Sequence, residues 1–143
     1  MRVSGTNAKG APWRIAIESP SELKQIETII SGVNAGIATS GDYRNYFEIE
    51  NRRYSHTLDP RSGYPVKHSL ASVTVIAPTC AEADALATAI MVLGREEGLR
   101  IAEELKLAIF LVSRIDNEYR TEYSNQFEQF LIAGDVNLSL IHI

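Results

Sequence analysis

No apolar run in the 143 residues approaches the roughly 20 needed for a membrane-spanning helix, and the opening Met1-Arg2-Val3-Ser4 lacks the apolar core of a signal peptide. No export signal is expected from these residues. The lone cysteine, Cys80, excludes an intramolecular disulfide and zinc ligation through paired cysteines, and it leaves the redox compartment open. Basic residues do not dominate: 14 Lys and Arg stand against 18 Asp and Glu, for a net charge of -4. The broad basic field of a nucleic-acid binder is therefore missing, and no nucleic-acid partner is expected. Also missing are a nucleophile elbow, a phosphate loop, an internal repeat and a low-complexity tract. What is present, 45% hydrophobic and 22% charged residues, is the make-up of an ordinary soluble globular protein, and the length suits one buried core.

Periodicity assigns most of the chain. Residues 2–12 read as a strand end followed by a loop punctuated by Gly5, Asn7 and Gly10. In residues 13–18, Trp13, Ile15 and Ile17 alternate with Arg14, Ala16 and Glu18, the pattern of a half-buried strand closed by Ser19-Pro20. Residues 21–31 fit either period, and the reading adopted is a short helical turn followed by a strand. Residues 36–40 form a short strand entering the turn Gly41-Asp42, and residues 46–50 and 53–58 form a hairpin around Glu50-Asn51-Arg52. Tyr54, His56 and Leu58 alternate with Ser55 and Thr57, so this strand is expected to run to the turn that Asp59-Pro60 opens and Ser62-Gly63 completes. The β-branched run at 70–77 predicts a central strand ended by Pro78. Thr79 and Glu82 make a capping box for a helix over 79–93 with Gly94 at its end, and a second helix follows over about 96–105. Residues 107–113 and 118–123 close a strand pair around Asp116-Asn117, and residues 127–132 are a last apolar segment.

Three groups of residues can carry chemistry. Asp84 and Thr88, four apart on one helix, project from one face as two hard oxygen donors that suit Mg²⁺; equally, Asp84 can be a solvated carboxylate favoured by the helix dipole and Thr88 a hydroxyl bonded to backbone. His56 can serve as base, acid, phosphate-binding group or metal ligand, because imidazole gains and loses protons around neutral pH, or as a structural strand residue. Asp59, before Pro60, is a turn-former or a site residue. Residues 38–44 place Gly41 among hydroxyls, Asp42 and Arg44, a composition able to meet an anion or an aromatic ring, or to make a tight turn.

Three motifs occur in order: Ala-Thr-Ser-Gly-Asp-Tyr-Arg-Asn-Tyr-Phe at 38–47, Ser-His-Thr-Leu-Asp-Pro-Arg-Ser-Gly-Tyr-Pro at 55–65 and Ala-Glu-Ala-Asp-Ala-Leu-Ala-Thr at 81–88. In residues, order and spacing the chain resembles the ApbE family, the FAD:protein FMN transferases, from about Arg2 to Leu131. The resemblance implies an α+β fold, a mostly antiparallel sheet with two helices packed on it, corresponding to a C-terminal half. It also implies a Mg²⁺-dependent reaction that splits FAD, passes FMN to a threonine or serine hydroxyl of an acceptor flavoprotein, a membrane redox-complex subunit, and releases AMP. On the family pattern Asp84 and Thr88 are metal ligands, His56 assists attack on phosphate, the backbone near Leu58 contacts FAD, and Asp59 with the Ser62-Gly63 turn supports the flavin site. The family further implies a periplasmic or inner-membrane lipoprotein facing the periplasm.

Two departures qualify the resemblance. Some members carry a second aspartate where this chain has Ala87, and the family's upstream region precedes Arg2. The expectation is thus a shortened transferase: residues 1–133 as the ApbE-like domain, residues 134–143 as a tail of unknown structure, and little transfer by the chain alone. The alternative is a non-catalytic flavin- or metal-binding module, or a fragment that self-associates into a homo-oligomer through exposed sheet edges.

Overall fold

The computed structural model describes residues 1–21, 25–42, 46–49, 52–116 and 118–132. In chain order the strands are β1 (Ile15–Glu18), β2 (Ile26–Ile30), β3 (Gly36–Gly41), β4 (Tyr46–Ile49), β5 (Arg52–Ser55), β6 (Leu58–Asp59), β7 (Tyr64–Pro65) and β8 (Leu70–Ala77). Two helices follow, α1 (Cys80–Leu93) and α2 (Arg95–Glu104), then β9 (Ala108–Ile115), β10 (Glu118–Tyr123) and a 3₁₀ turn at Glu128–Phe130. The helical turn expected near residue 22, the hairpin tip at 50 and 51, and the tail at 134–143 lie outside the described residues.

The centre is an antiparallel sheet in the order β10-β9-β8-β3. All eight residues of β8 are buried, which for an antiparallel strand requires cover on both faces. Val73, Val75, Ile109 and Leu111 point to one side, where Ala83, Ala87, Ile90 and Met91 of α1 meet them. Ile76, Phe110 and Val112 point to the other, where Ile17 of β1, Ile30 of β2 and Phe127 form a second core. Phe110 and Phe127 are fully buried with ring centroids 5.4 Å apart. The fold is therefore α+β, with two helices packed on a mostly antiparallel sheet.

Local chemistry accounts for α1. The Glu82 N–H donates to Thr79 Oγ1 at 3.2 Å and the Thr79 N–H donates to Glu82 Oε2 at 3.0 Å, so two donors at the helix start are satisfied reciprocally. At the other end Gly94, with φ +84, accepts a conformation costly for residues with a Cβ and starts α2 directly.

One expectation is corrected. The strand through Tyr54 does not continue to Leu58: β5 ends at Ser55, and Leu58-Asp59 pairs separately with Tyr64-Pro65. The cause is local, because Ser55 Oγ accepts the Thr57 N–H at 3.1 Å and replaces a ladder bond with a side-chain turn. Asp59 C=O then accepts the Ser62 and Gly63 amides at 3.2 and 2.8 Å, with Gly63 at φ +71.

Candidate functional site

Alongside the edge strand β3 lies a cavity of about 820 Å³. Four sides, with Met1 beside them, line it. The bend after β5 supplies His56, Thr57 and Leu58; α1 supplies Asp84, Thr88 and Val92. Strand β3 contributes its edge from Ile37 to Gly41 with Thr74 of β8 behind it, and β1 closes the fourth side through residues 15–18. The break at Ser55 matters here, since the turned chain carries His56, exposed, and the half-buried Thr57 along this wall.

Strand β3 presents hydroxyls on both of its faces. Thr39 Oγ1 and Thr74 Oγ1 are 2.8 Å apart across the β3–β8 ladder, while Ser40, facing the other way, stands 3.3 Å from Thr88 Oγ1 on α1. The helix comes this near because small residues line the contact. Gly36 and Ala38 alternate with Ile37 and Thr39, and Ala83 and Ala87 are fully buried on the helix side. Ala87 is thus a packing residue and brings no oxygen donor to the cavity.

Asp42 ends β3 in a structural role. Its carboxylate accepts a hydrogen bond from Arg114 Nη2 at 2.9 Å, from 72 residues away, and its N–H donates to Ala71 C=O at 3.0 Å. Arg114 in turn lies over the Tyr119 ring, 5.8 Å from its centroid. Tyr43 and Arg44 of that motif lie outside the described residues.

His56, Leu58, Asp84 and Thr88 therefore share one cavity, but Asp59, Ser62 and Gly63 are not among its lining residues. The Asp59 carboxylate is engaged by its own turn: Oδ1 accepts from Arg61 N and Nε, both at 2.9 Å, and Oδ2 accepts from Arg61 Nη2 at 2.8 Å. These bonds hold its carboxyl below the usual carboxylate range. What it adds to the turn is complete above the ordinary value of 3.8 and is lost only as pH falls below it.

The donors that α1 brings to the cavity are both oxygen: the Asp84 carboxylate and the Thr88 hydroxyl. Among the described residues no group of three or more His, Cys, Asp or Glu side chains is placed to hold a metal ion. Such a set does not fit zinc, but it fits Mg²⁺, which keeps several waters and is commonly held by one or two carboxylates together with substrate phosphates. Glu18 and Thr74 were not singled out from the sequence. Both sit in strands whose residue types signal packing alone, and only the tertiary arrangement brings them to the cavity.

The ApbE family model matches residues 1–111. The chain belongs to the ApbE family. Among curated ApbE relatives, the FAD:protein FMN transferase of Haemophilus influenzae is 45% identical over 131 residues, 90% of this chain and 38% of the relative. That of Escherichia coli is 42% identical over 130 residues, again 90% of this chain and 37% of the relative. The apo crystal structure of the Pseudomonas stutzeri flavinyl transferase ApbE superposes with a TM-score of 0.79 at 47% identity, covering 93% of this chain and 41% of that one. The ApbE protein of Thermotoga maritima gives 0.78 at 31% identity, covering 90% and 41%. The chain spans about two fifths of the length of these relatives.

Proposed function

We propose that this chain supplies the pyrophosphate-facing wall of an FAD:protein FMN transferase, with His56, Asp84 and Thr88 on opposite sides of the bond that is cut. The observation that carries this reading is the shared cavity: the bend after β5 and the exposed face of α1 are separated in sequence by β8 yet line the same space. Relatives over 90% of the chain carry the name FAD:protein FMN transferase, which supports the reaction class.

In this reaction the oxygen of an acceptor threonine or serine forms a bond to the FMN phosphorus, the bond to the bridging oxygen breaks, and AMP leaves. The hydroxyl must lose its proton as it attacks, and His56, beside the cavity and on an exposed bend, is the group that receives it. Asp84 and Thr88 would hold Mg²⁺, which when bound neutralises pyrophosphate charge. Leu58 and Thr57 lie where the chain passes along the FAD, and Asp59 with Ser62-Gly63 holds that passage in shape through the Arg61 and backbone bonds of the turn. The acceptor is a flavoprotein of a membrane redox complex, reached on the periplasmic side, as expected for this family.

The test is covalent flavin transfer. The chain, supplemented with the remaining portion of a relative, is incubated with FAD, Mg²⁺ and an acceptor domain, and fluorescence is read on denaturing gels. His56→Ala is expected to lower the transfer rate by about 100-fold or more, the usual contribution of a positioned base. Transfer by His56→Ala at the unmodified rate would remove His56 from the chemistry.

A further inference from the structure

We propose that Ser40 is a positioning residue for the oxygen-donor face of α1: it accepts the Thr88 hydroxyl proton and so leaves the Thr88 lone pairs directed at a divalent cation in the cavity. The inference deepens the reading of Asp84 and Thr88 as cation donors and rests on it.

A threonine within a helix has a ready alternative partner, the carbonyl one turn earlier, and its χ1 divides between rotamers for that reason. In this chain the carbonyl one turn before Thr88 belongs to Asp84. A hydroxyl folded back on it would be a poor cation donor. Instead Thr88 Oγ1 stands 3.3 Å from Ser40 Oγ across the strand–helix contact, and Asp84, Thr88 and Ser40 all line the cavity. A hydroxyl oxygen that gives a lone pair to a cation keeps its proton, and that proton needs an acceptor. Ser40 provides one on the side of Thr88 that faces the sheet.

Ser40 is suited to the task because it cannot drift. Its strand pairs with β8 in register, Ser40 opposite Val73, and is pinned on either side of it by the 2.8 Å Thr39–Thr74 hydroxyl bond and by the Asp42 bonds to Arg114 and Ala71. The rigid element thus sets the rotamer of a residue on the helix. Metal sites commonly depend on such outer partners, whose loss weakens binding 10- to 100-fold.

The experiment is Mn²⁺ binding in the presence of FAD, read from the electron paramagnetic resonance signal of the free ion, on the intact chain and its variants. Ser40→Ala is expected to weaken Mn²⁺ binding about 10-fold with an unchanged unfolding midpoint, and Ser40→Thr to restore it to within about 3-fold. Because Ser40 acts through Thr88, the double variant Ser40→Ala/Thr88→Ala should bind no more weakly than Thr88→Ala alone. Wild-type affinity in Ser40→Ala, or a further 10-fold loss in the double variant, overturns the positioning role while leaving Asp84 and Thr88 as donors. Wild-type affinity in Asp84→Ala overturns the cation site itself, and the inference with it.

Discussion

Gly36→Ala should destabilise the fold by about 3 kcal/mol, at the upper end of the cost of overpacking a tight contact. Gly36 begins β3 where the strand passes under the start of α1. A Cβ built there falls 2.5 Å from both the Cys80 amide nitrogen and the Thr79 carbonyl oxygen. Those atoms are backbone, held by the capping box, and cannot rotate out of the way as the end of a side chain would. Relief requires the helix to lift from the sheet. Ala83 and Ala87 would then lose contact with Ala38 and its neighbours, and the Asp84–Thr88 face would move away from Ser40. Urea unfolding gives the stability change directly. Gly32→Ala is the control: Gly32 has a φ of +72 but open space around it, so only the backbone cost of about 1 kcal/mol is expected. Equal losses in the two variants would mean that the β3–α1 contact is not close-packed.

The second large effect is expected at the opposite edge of the sheet. Glu122 of β10 is only 4% exposed, and its carboxylate is held by Arg95, the first residue of α2, through Nη2 to Oε1 at 2.6 Å and Nε to Oε2. Arg95→Met leaves a buried carboxylate without its cation, a change that costs about 3–5 kcal/mol. The pair as a whole contributes far less, because the Glu122 carboxylate, and in part the Arg95 guanidinium, were dehydrated to form it. Arg95→Met/Glu122→Leu should therefore recover most of the loss, a non-additivity that thermal or urea unfolding of the four-membered cycle measures. An additive double variant would show that the two side chains do not act as a pair. The cavity lies at the β3 edge, so under the proposed function the recovered double variant should match the parent in FAD affinity.

The elements legible in the sequence are those whose causes are local. Thr79 and Glu82 spell out the start of α1 within four residues, and the apolar run at 70–77 marks a strand covered on both faces. The break after Ser55 was not legible, since alternation through Tyr54, His56 and Leu58 looks continuous until a serine hydroxyl takes the Thr57 amide. Asp42 was read as a candidate for anion or ring contact, yet its partner is an arginine 72 residues away that no local pattern announces. The same holds for Glu122 and Arg95. For the site, motif order pointed to His56, Leu58, Asp84 and Thr88, which the cavity brings together, and equally to Asp59, Ser62 and Gly63, which do not line it. The wall supplied by β1 and the approach of Ser40 to Thr88 depend on how the layers pack, which is where single-sequence reasoning stops.

The central claim is that one cavity holds FAD with a cation against α1, and its most direct test is the affinity for FAD with and without Mg²⁺, followed by quenching of flavin fluorescence in the intact chain and in Asp84→Ala. Mg²⁺ should tighten FAD binding by about 10-fold or more in the parent, in line with metal sites that use substrate phosphates, and should leave Asp84→Ala unaffected. The same Mg²⁺-dependent gain in both proteins would contradict the account.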